Sequence, residues 1–555
     1  MLDAREVRKG ESTSRKRTNV PRNPSTLRGP HKETPQPLAI LTETRGDPII
    51  TRHSRNKAFT IAAALTVTVV LAVSGCGGDG GGSRGSTETL VLAEPAKVTT
   101  FDPILAYQST DLRAIDLIGG RLFSYDKDGT VGPGLAQSGT AAPDQLSWTF
   151  PLRPDLKFSD GSALTATDVV ASLERVRTDP TNVYSALTSA WKLVSAVDPQ
   201  TVRIDLNVPS PKLESVLSYP VTTIVPAAHA ADPKFYNAPV SAGMFTLASW
   251  GGGAEAKFVR NENYWGAKPI VKNITMTGVT DNSTRISQVR SGQVNFAADI
   301  SPSLIDQVTA PAKLVTAQLR GFYSLVPNNT VAPFNDFGVR KAISLAVDRD
   351  QINKIAWHGK SQPLAGFWPP NVDGYDKNVP TGRDLDGAKA ALRGTPCEQG
   401  CTSDLYFTSG YPGEPEMATV IKQNLADIGI TLNLQNLDPT TLYSRLADGK
   451  VPMTILLVWD YVNQPSGLLN YALQQGGSQA NFSFYNSPEM NQLIDQANQQ
   501  SGDQLKETLA KIDALFVKDV PYANLTPYPS FSAANLPEQG LVTESDSATY
   551  VFKLQ

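Results

Sequence analysis

Few side chains in this chain of 555 residues could carry covalent or acid–base chemistry. Beyond residue 76 only His229 and His358 remain of the four histidines, far apart and outside any ligand-spaced cluster. Neither HExxH nor a phosphate-cradling glycine loop closed by Lys-Ser/Thr occurs. Two strings have the form of nucleophile motifs. Gly81-Gly82-Ser83-Arg84-Gly85 fits G-x-S-x-G, but in a glycine tract rather than at a strand-to-helix elbow. Ser189-Ala190-Trp191-Lys192 fits S-x-x-K, with no Lys-Thr-Gly to accompany it. Both read as chance matches, so a surface hydrolase is the weaker functional class, and no catalytic residue, cofactor or metal site is expected. Cys397 and Cys401 allow a short disulfide loop, half a metal site or two free thiols. With no further Cys and no nearby His, four-ligand metal is the poorest of the three.

Charge and targeting signals set the compartment in which such residues would work. Residues 1–57 hold thirteen Lys/Arg and six Asp/Glu, a net of +7, while the whole chain is −3, which leaves −10 from Cys76 onward. So acidic a body is a poor partner for nucleic acid, whose phosphates demand clustered Lys/Arg. Residues 1–57 read as a disordered basic N-terminus, or as a start set too far upstream. Arg52, Arg55 and Lys57 then precede an apolar run, Ala58 to Val73, that is short of the roughly 20 residues needed to span a bilayer. Leu71-Ala72-Val73-Ser74-Gly75-Cys76 matches a bacterial lipobox, in which Cys76 is diacylated and begins the mature chain. Residues 58–76 are therefore read as the signal region and 77–87 as a glycine-rich tether. In an exported domain disulfides persist, which favours a bond between Cys397 and Cys401.

The elements beyond the tether follow from periodicity. Leu146, Trp148, Phe150 and Leu152 alternate with polar residues or Pro, as in a half-buried strand. Ser159-Asp160-Gly161 supplies a turn. Thr165 with Asp168 three residues on forms a capping box, and Val169, Val170, Leu173 and Val176 share one face of the helix that follows. Ser283 to Gly292 reads as a helix ended by glycine. Strands are expected at Leu90 to Glu94, Val202 to Leu206, Val271 to Val279, Asp404 to Thr408, Ile430 to Leu434 and Met453 to Trp459. Helices at Glu416 to Ile428 and Asp438 to Asp448 alternate with the last three, the βαβαβ rhythm of a largely parallel sheet.

Particular residues add a family resemblance. Trp148-Thr149-Phe150-x-Leu152-Arg153 followed by Lys157-Phe158-Ser159-Asp160-Gly161-x-x-Leu164-Thr165-Ala166-x-Asp168-Val169 resembles the signature of the family 5 extracellular solute-binding proteins, the peptide- and nickel-type lipoproteins of bacterial ABC importers. Two further stretches agree: Gly243-Met244-Phe245-Thr246-Leu247, Trp250 and Arg260-Asn261-x-x-Tyr264-Trp265-Gly266; and Asn329-Thr330-x-x-Pro333-Phe334-x-Asp336-x-x-Val339-Arg340, continuing to Asp348-Arg349. Tyr264 and Trp265 read as packing residues.

The resemblance implies an α/β, two-lobed periplasmic-binding-protein-like fold with hinge strands and an extra inserted subdomain. Residues 88–116, 239–325 and 522–555 would form lobe I, 117–238 the inserted subdomain and 326–521 lobe II, with the chain crossing between lobes near 326–330 and again near 522–529. It implies a monomer that captures a small solute, a peptide above all, and hands it to the transmembrane subunits of an ABC permease from the outer face of the cytoplasmic membrane. Metal chelates, oligosaccharides and opine-like compounds are the alternatives within the family. The segment Leu457-Val458-Trp459-Asp460-Tyr461-x-x-x-Pro465 resembles the one that holds a peptide's ammonium group in peptide-binding members, which makes Asp460 the anchor with Trp459 and Tyr461 beside it. Trp357, Phe367, Trp368 and Tyr375 are further residues expected to line the cleft.

Overall fold

The computed structural model describes residues 88–125, 130–210, 213–370, 372–459, 468–469, 472–474 and 481–536. Its strands are β1 (Thr89–Glu94), β2 (Phe123–Tyr125), β3 (Val131–Pro133), β4 (Thr140–Ala141), β5 (Ser147–Pro151), β6 (Trp191–Asp198), β7 (Thr201–Leu206), β8 (Phe245–Trp250), β9 (Glu255–Arg260), β10 (Asn273–Gly278), β11 (Phe296–Ala297), β12 (Lys313–Pro327), β13 (Cys401–Phe407), β14 (Ile430–Asn436), β15 (Met453–Trp459) and β16 (Ala523–Ala534). The helices are α1 (Ser109–Ile118), α2 (Ala166–Thr178), α3 (Leu213–Val216), α4 (Asn282–Ser291), α5 (Phe337–Ala346), α6 (Arg349–Trp357), α7 (Leu385–Ala391), α8 (Glu414–Ala426), α9 (Pro439–Ala447), α10 (Pro488–Ala497) and α11 (Gly502–Asp519).

One sheet runs through both lobes in the order β14-β13-β15-β12-β16-β11-β1-β10-β9-β8. On one side of β12 lie β14, β13 and β15, which are mutually parallel, as the alternating strands and helices require. On the far side of β16 lie β11, β1, β10, β9 and β8. Two long antiparallel strands join the halves. The far end of β12 pairs with β15 from Gly321 to Pro327, and β16 ends against β11 at Ala533 and Ala534. Of the two stretches expected to cross between lobes, 326–330 begins at the end of a strand that starts at Lys313, and 522–529 falls largely within β16.

The strand–turn–helix unit forms as its pattern requires. Trp148 and Phe150 of β5 are buried, and Gly161 turns the chain at φ +86°. The Thr165 N–H donates to Asp168 Oδ2 at 2.8 Å, while Val169, Leu173 and Val176 pack inward. Helix α4 ends on Gly292 in the left-handed region at φ +75°, the conformation glycine adopts without a Cβ clash. A four-stranded sheet, β4-β5-β7-β6, lies in the inserted segment, and its core continues into lobe I through Phe123, Phe150, Leu217 and Phe245. A second core is shared across the hinge strands, with Ala93, Ile286 and Ile300 packed in one cluster with Tyr323, Val339 and Met417. A third fills lobe II around Phe367, Trp368, Leu509 and Phe516.

Two polar clusters tie these layers. Glu94, at the end of β1, pairs with Arg113 of α1 in the interior, and Arg113 also reaches Asp299 at 3.0 Å. Burial raises the Glu94 carboxyl above its ordinary range, and Arg113 pulls it back. Arg349, the first residue of α6, is buried with no carboxylate partner among the described residues. It donates to the carbonyls of Leu364, Asn524 and Ser344 at 3.0, 2.7 and 3.0 Å. Asp348 caps α6 by accepting the Gln351 N–H at 2.9 Å. Cys397 and Cys401 are disulfide-bonded, with Cα atoms 5.0 Å apart, at the entry to β13.

Candidate functional site

Strand β15 ends on Trp459, and the register sets it opposite Gly321 of β12. Beside β12 runs β16, whose Tyr528 meets the Trp459 ring edge-on at 5.6 Å between centroids. Both rings are half-buried, whereas the rest of β16 is interior. Tyr528 in turn contacts the buried ring of Tyr323 at 5.5 Å, and Trp357 closes the group at 5.7 Å from Tyr323 and 6.0 Å from Tyr528. The strands therefore bring together four aromatic side chains, far apart in sequence, beside the paired strands β12 and β16.

Polar groups frame this cluster. The Tyr323 hydroxyl donates to the Pro412 carbonyl at 2.9 Å, tying β12 to the loop between β13 and α8. Gln318 donates from Nε2 to the Tyr528 carbonyl at 2.8 Å. The Arg320 guanidinium lies 5.1 Å from the Tyr125 ring, so the segment carrying β2 touches the crossing strand. Glu414 opens α8 and is buried, and its Oε2 accepts the Thr408 N–H at 2.8 Å. Burial pushes its carboxyl up to about 8, with no cation among the described residues to offset the loss of water.

Aromatic faces, a neutral acid and backbone groups are equipment for holding a solute by stacking and hydrogen bonds. Among the described residues no group of three His, Cys, Asp or Glu stands ready for a metal ion. No helix among them is long and apolar enough to cross a membrane.

The residues predicted from sequence divide sharply. Trp459 stands at the strand crossing. Asp460, Tyr461 and Cys76 lie outside the described residues. Trp368, expected to line the cleft, is a core residue instead. It is fully buried, its Nε1 donates to the Leu509 carbonyl at 3.0 Å, and its ring packs on Phe367 at 4.6 Å. Phe367 shares that core, and Tyr375 faces a surface groove beside α11 with Pro380 and Val517. Trp265 packs under Arg153, whose guanidinium sits 4.2 Å from its ring. Tyr323, Tyr528, Gly321 and Glu414 were not picked out by sequence reasoning. Tyr528 had one signal, its place in the expected return crossing; Glu414 had none beyond its position before a helical pattern.

Comparison with known proteins agrees with this architecture. Residues 130–480 match the model for bacterial extracellular solute-binding proteins, family 5 middle. The glutathione-binding protein GsiB of Escherichia coli K12 is 28% identical over 366 residues, covering 64% of this chain and 70% of GsiB. Among solved structures, AgaA of A. tumefaciens R10 in complex with agropinic acid is 26% identical, with a TM-score of 0.68 over 83% of this chain and 96% of AgaA. HbpA2 of Haemophilus parasuis has the same fold at 21% identity, with a TM-score of 0.76 over 83% of this chain and 98% of HbpA2.

Proposed function

Because the chain belongs to family 5 of the bacterial extracellular solute-binding proteins, we propose that it captures di- and oligopeptides and delivers them to its permease. Members of this family are extracytoplasmic binding proteins of ABC importers and are not enzymes. The observation that carries the peptide reading is the half-open pair of Trp459, which immediately precedes Asp460 in the chain, and Tyr528, on the two strands that flank β12. Such a floor stacks on planar peptide groups, while the Asp460 carboxylate would hold the α-ammonium by a charge-assisted bond. GsiB, by its name a binder of the tripeptide glutathione, supports a peptide ligand. AgaA, with its bound agropinic acid, supports the second reading, an opine-like solute.

Capture works by closure of the lobes about β12 and β16, with ligand favouring the closed state by its higher affinity for it. Diacylated Cys76 would keep the protein at the outer face of the membrane. Mass spectrometry of the solute carried by the purified protein separates peptide from opine. Calorimetry with a free and an N-acetylated peptide then tests the anchor. The parent should prefer the free form, and Asp460→Asn should lose that preference with about 2–5 kcal/mol of binding energy. Equal binding of both forms by the parent would remove the ammonium role and move the opine reading ahead.

A further inference from the structure

We propose that Glu414 is a second anchor in the cleft, which takes a cationic side-chain group of the bound solute, an alkylammonium or a guanidinium. This rests on the peptide reading above and deepens it to peptides bearing Lys or Arg. The placement comes first. Strands β13, β14 and β15 are parallel, and the end of β13 pairs with the start of β15, Tyr406 opposite Thr454, so the loop that leads from Phe407 to Glu414 leaves the sheet on the same carboxyl side toward which β15 runs on to Trp459. In open α/β sheets ligands collect outside that carboxyl edge. Contacts link the two positions: the Tyr323 hydroxyl bonds to Pro412, the Tyr323 ring touches Tyr528, and Tyr528 touches Trp459.

The carboxyl itself is incompletely used. Glu414 is 1% exposed, Oε2 accepts the Thr408 N–H, and Oε1 accepts no hydrogen bond among the described residues. No Lys, Arg or His of the described residues pairs with it. A loop staple alone would explain Oε2, and a glutamine would serve that purpose without the cost of an unpaired acid. The titratable groups that act on Tyr323 are Tyr528 on β16, Glu414 itself, Tyr411 on the same loop and Tyr443 on α9, and no charged group among the described residues acts on the Glu414 carboxyl. Aromatic faces beside a carboxyl suit a cation, which gains from both. With its carboxyl pushed up to about 8, Glu414 is protonated in the empty site at neutral pH, and an arriving cation drives that proton into the buffer.

The test is calorimetric titration of the purified protein at pH 7 with trialanine and with the three peptides that carry one lysine in its place. Each titration is run in phosphate and in Tris, whose different ionisation heats count protons. One lysine peptide should bind about tenfold or more tighter than trialanine and release up to about one additional proton. Glu414→Gln, which still accepts the Thr408 N–H and can be checked by its melting temperature, should lose both the preference and the release. Trialanine binding with no lysine preference or no added proton overturns the role of Glu414 and leaves the peptide reading standing. Failure of all four peptides to bind overturns the peptide reading, and this assignment with it.

Discussion

Gly321 and Trp459 face each other across β12 and β15, and the indole occupies the space a side chain would need: a Cβ at 321 would stand 2.8 Å from Cε3 of Trp459. Such an approach is closer than carbon atoms tolerate, and the Val458 carbonyl at 3.1 Å blocks retreat on one side. Gly321→Ala should therefore tilt the Trp459 ring away from Tyr528. Affinity for a tripeptide is expected to fall about tenfold, worth ~1.4 kcal/mol, with an ordinary unfolding midpoint. Calorimetry alongside urea unfolding separates the two effects.

Two tryptophans should respond in opposite ways to truncation. Trp368→Ala empties an interior site and orphans the Leu509 carbonyl, so a loss of about 3–5 kcal/mol in stability is expected. Trp459→Ala removes a half-buried ring at the strand crossing, and its main effect should be on ligand affinity. Equal destabilisation by both changes would remove Trp459 from the site.

Arg349 holds β16 to the start of α6. Besides its own bond to the Asn524 carbonyl, Asn524 accepts from Ser324 at 2.6 Å and donates to the Gly366 carbonyl at 2.7 Å. Burial lowers Arg349 to about 10, so it remains charged at neutral pH. A lysine cannot reproduce the planar fork of donors. Arg349→Lys should cost about 2–4 kcal/mol in denaturant unfolding, through carbonyls left unpaired in the interior.

Glu414 should also imprint a pH dependence on the ligand-free protein. Its value in the folded state, about 8, lies above the ordinary 4.5, so between these limits the folded state holds a proton that the unfolded chain has released. Stability then falls as pH rises, by about 2–3 kcal/mol from pH 6 to pH 8. Glu414→Gln should abolish this slope, read as the difference between the two proteins' unfolding free energies. A slope of the same size in the variant would assign it to other groups.

The bond between Cys397 and Cys401 closes a loop of four-residue separation. Replacing both by alanine should cost about 2 kcal/mol on the chain-entropy model. Thermal unfolding with and without reductant should show the same difference in the parent and none in the variant.

What the sequence determined by itself was local. An apolar run within the strand–helix rhythm marked β15 with the bounds it has, Met453–Trp459, because a strand covered on both faces runs apolar. Thr165 with Asp168, and Gly292 after α4, marked helix ends because capping and left-handed geometry are read from one or two residues. Tertiary structure alone decided which aromatics meet. Trp368 and Trp459 are the same residue type in similar apolar surroundings along the chain. Only the pairing of β12 with β15 and β16, across more than a hundred residues, leaves one ring half-open and places the other beside Leu509. The same holds for Glu414: its position at the start of α8 is a local matter, but its burial beneath Tyr323 depends on strands brought together from afar. Water is then excluded from a carboxyl that in sequence resembles any solvated glutamate.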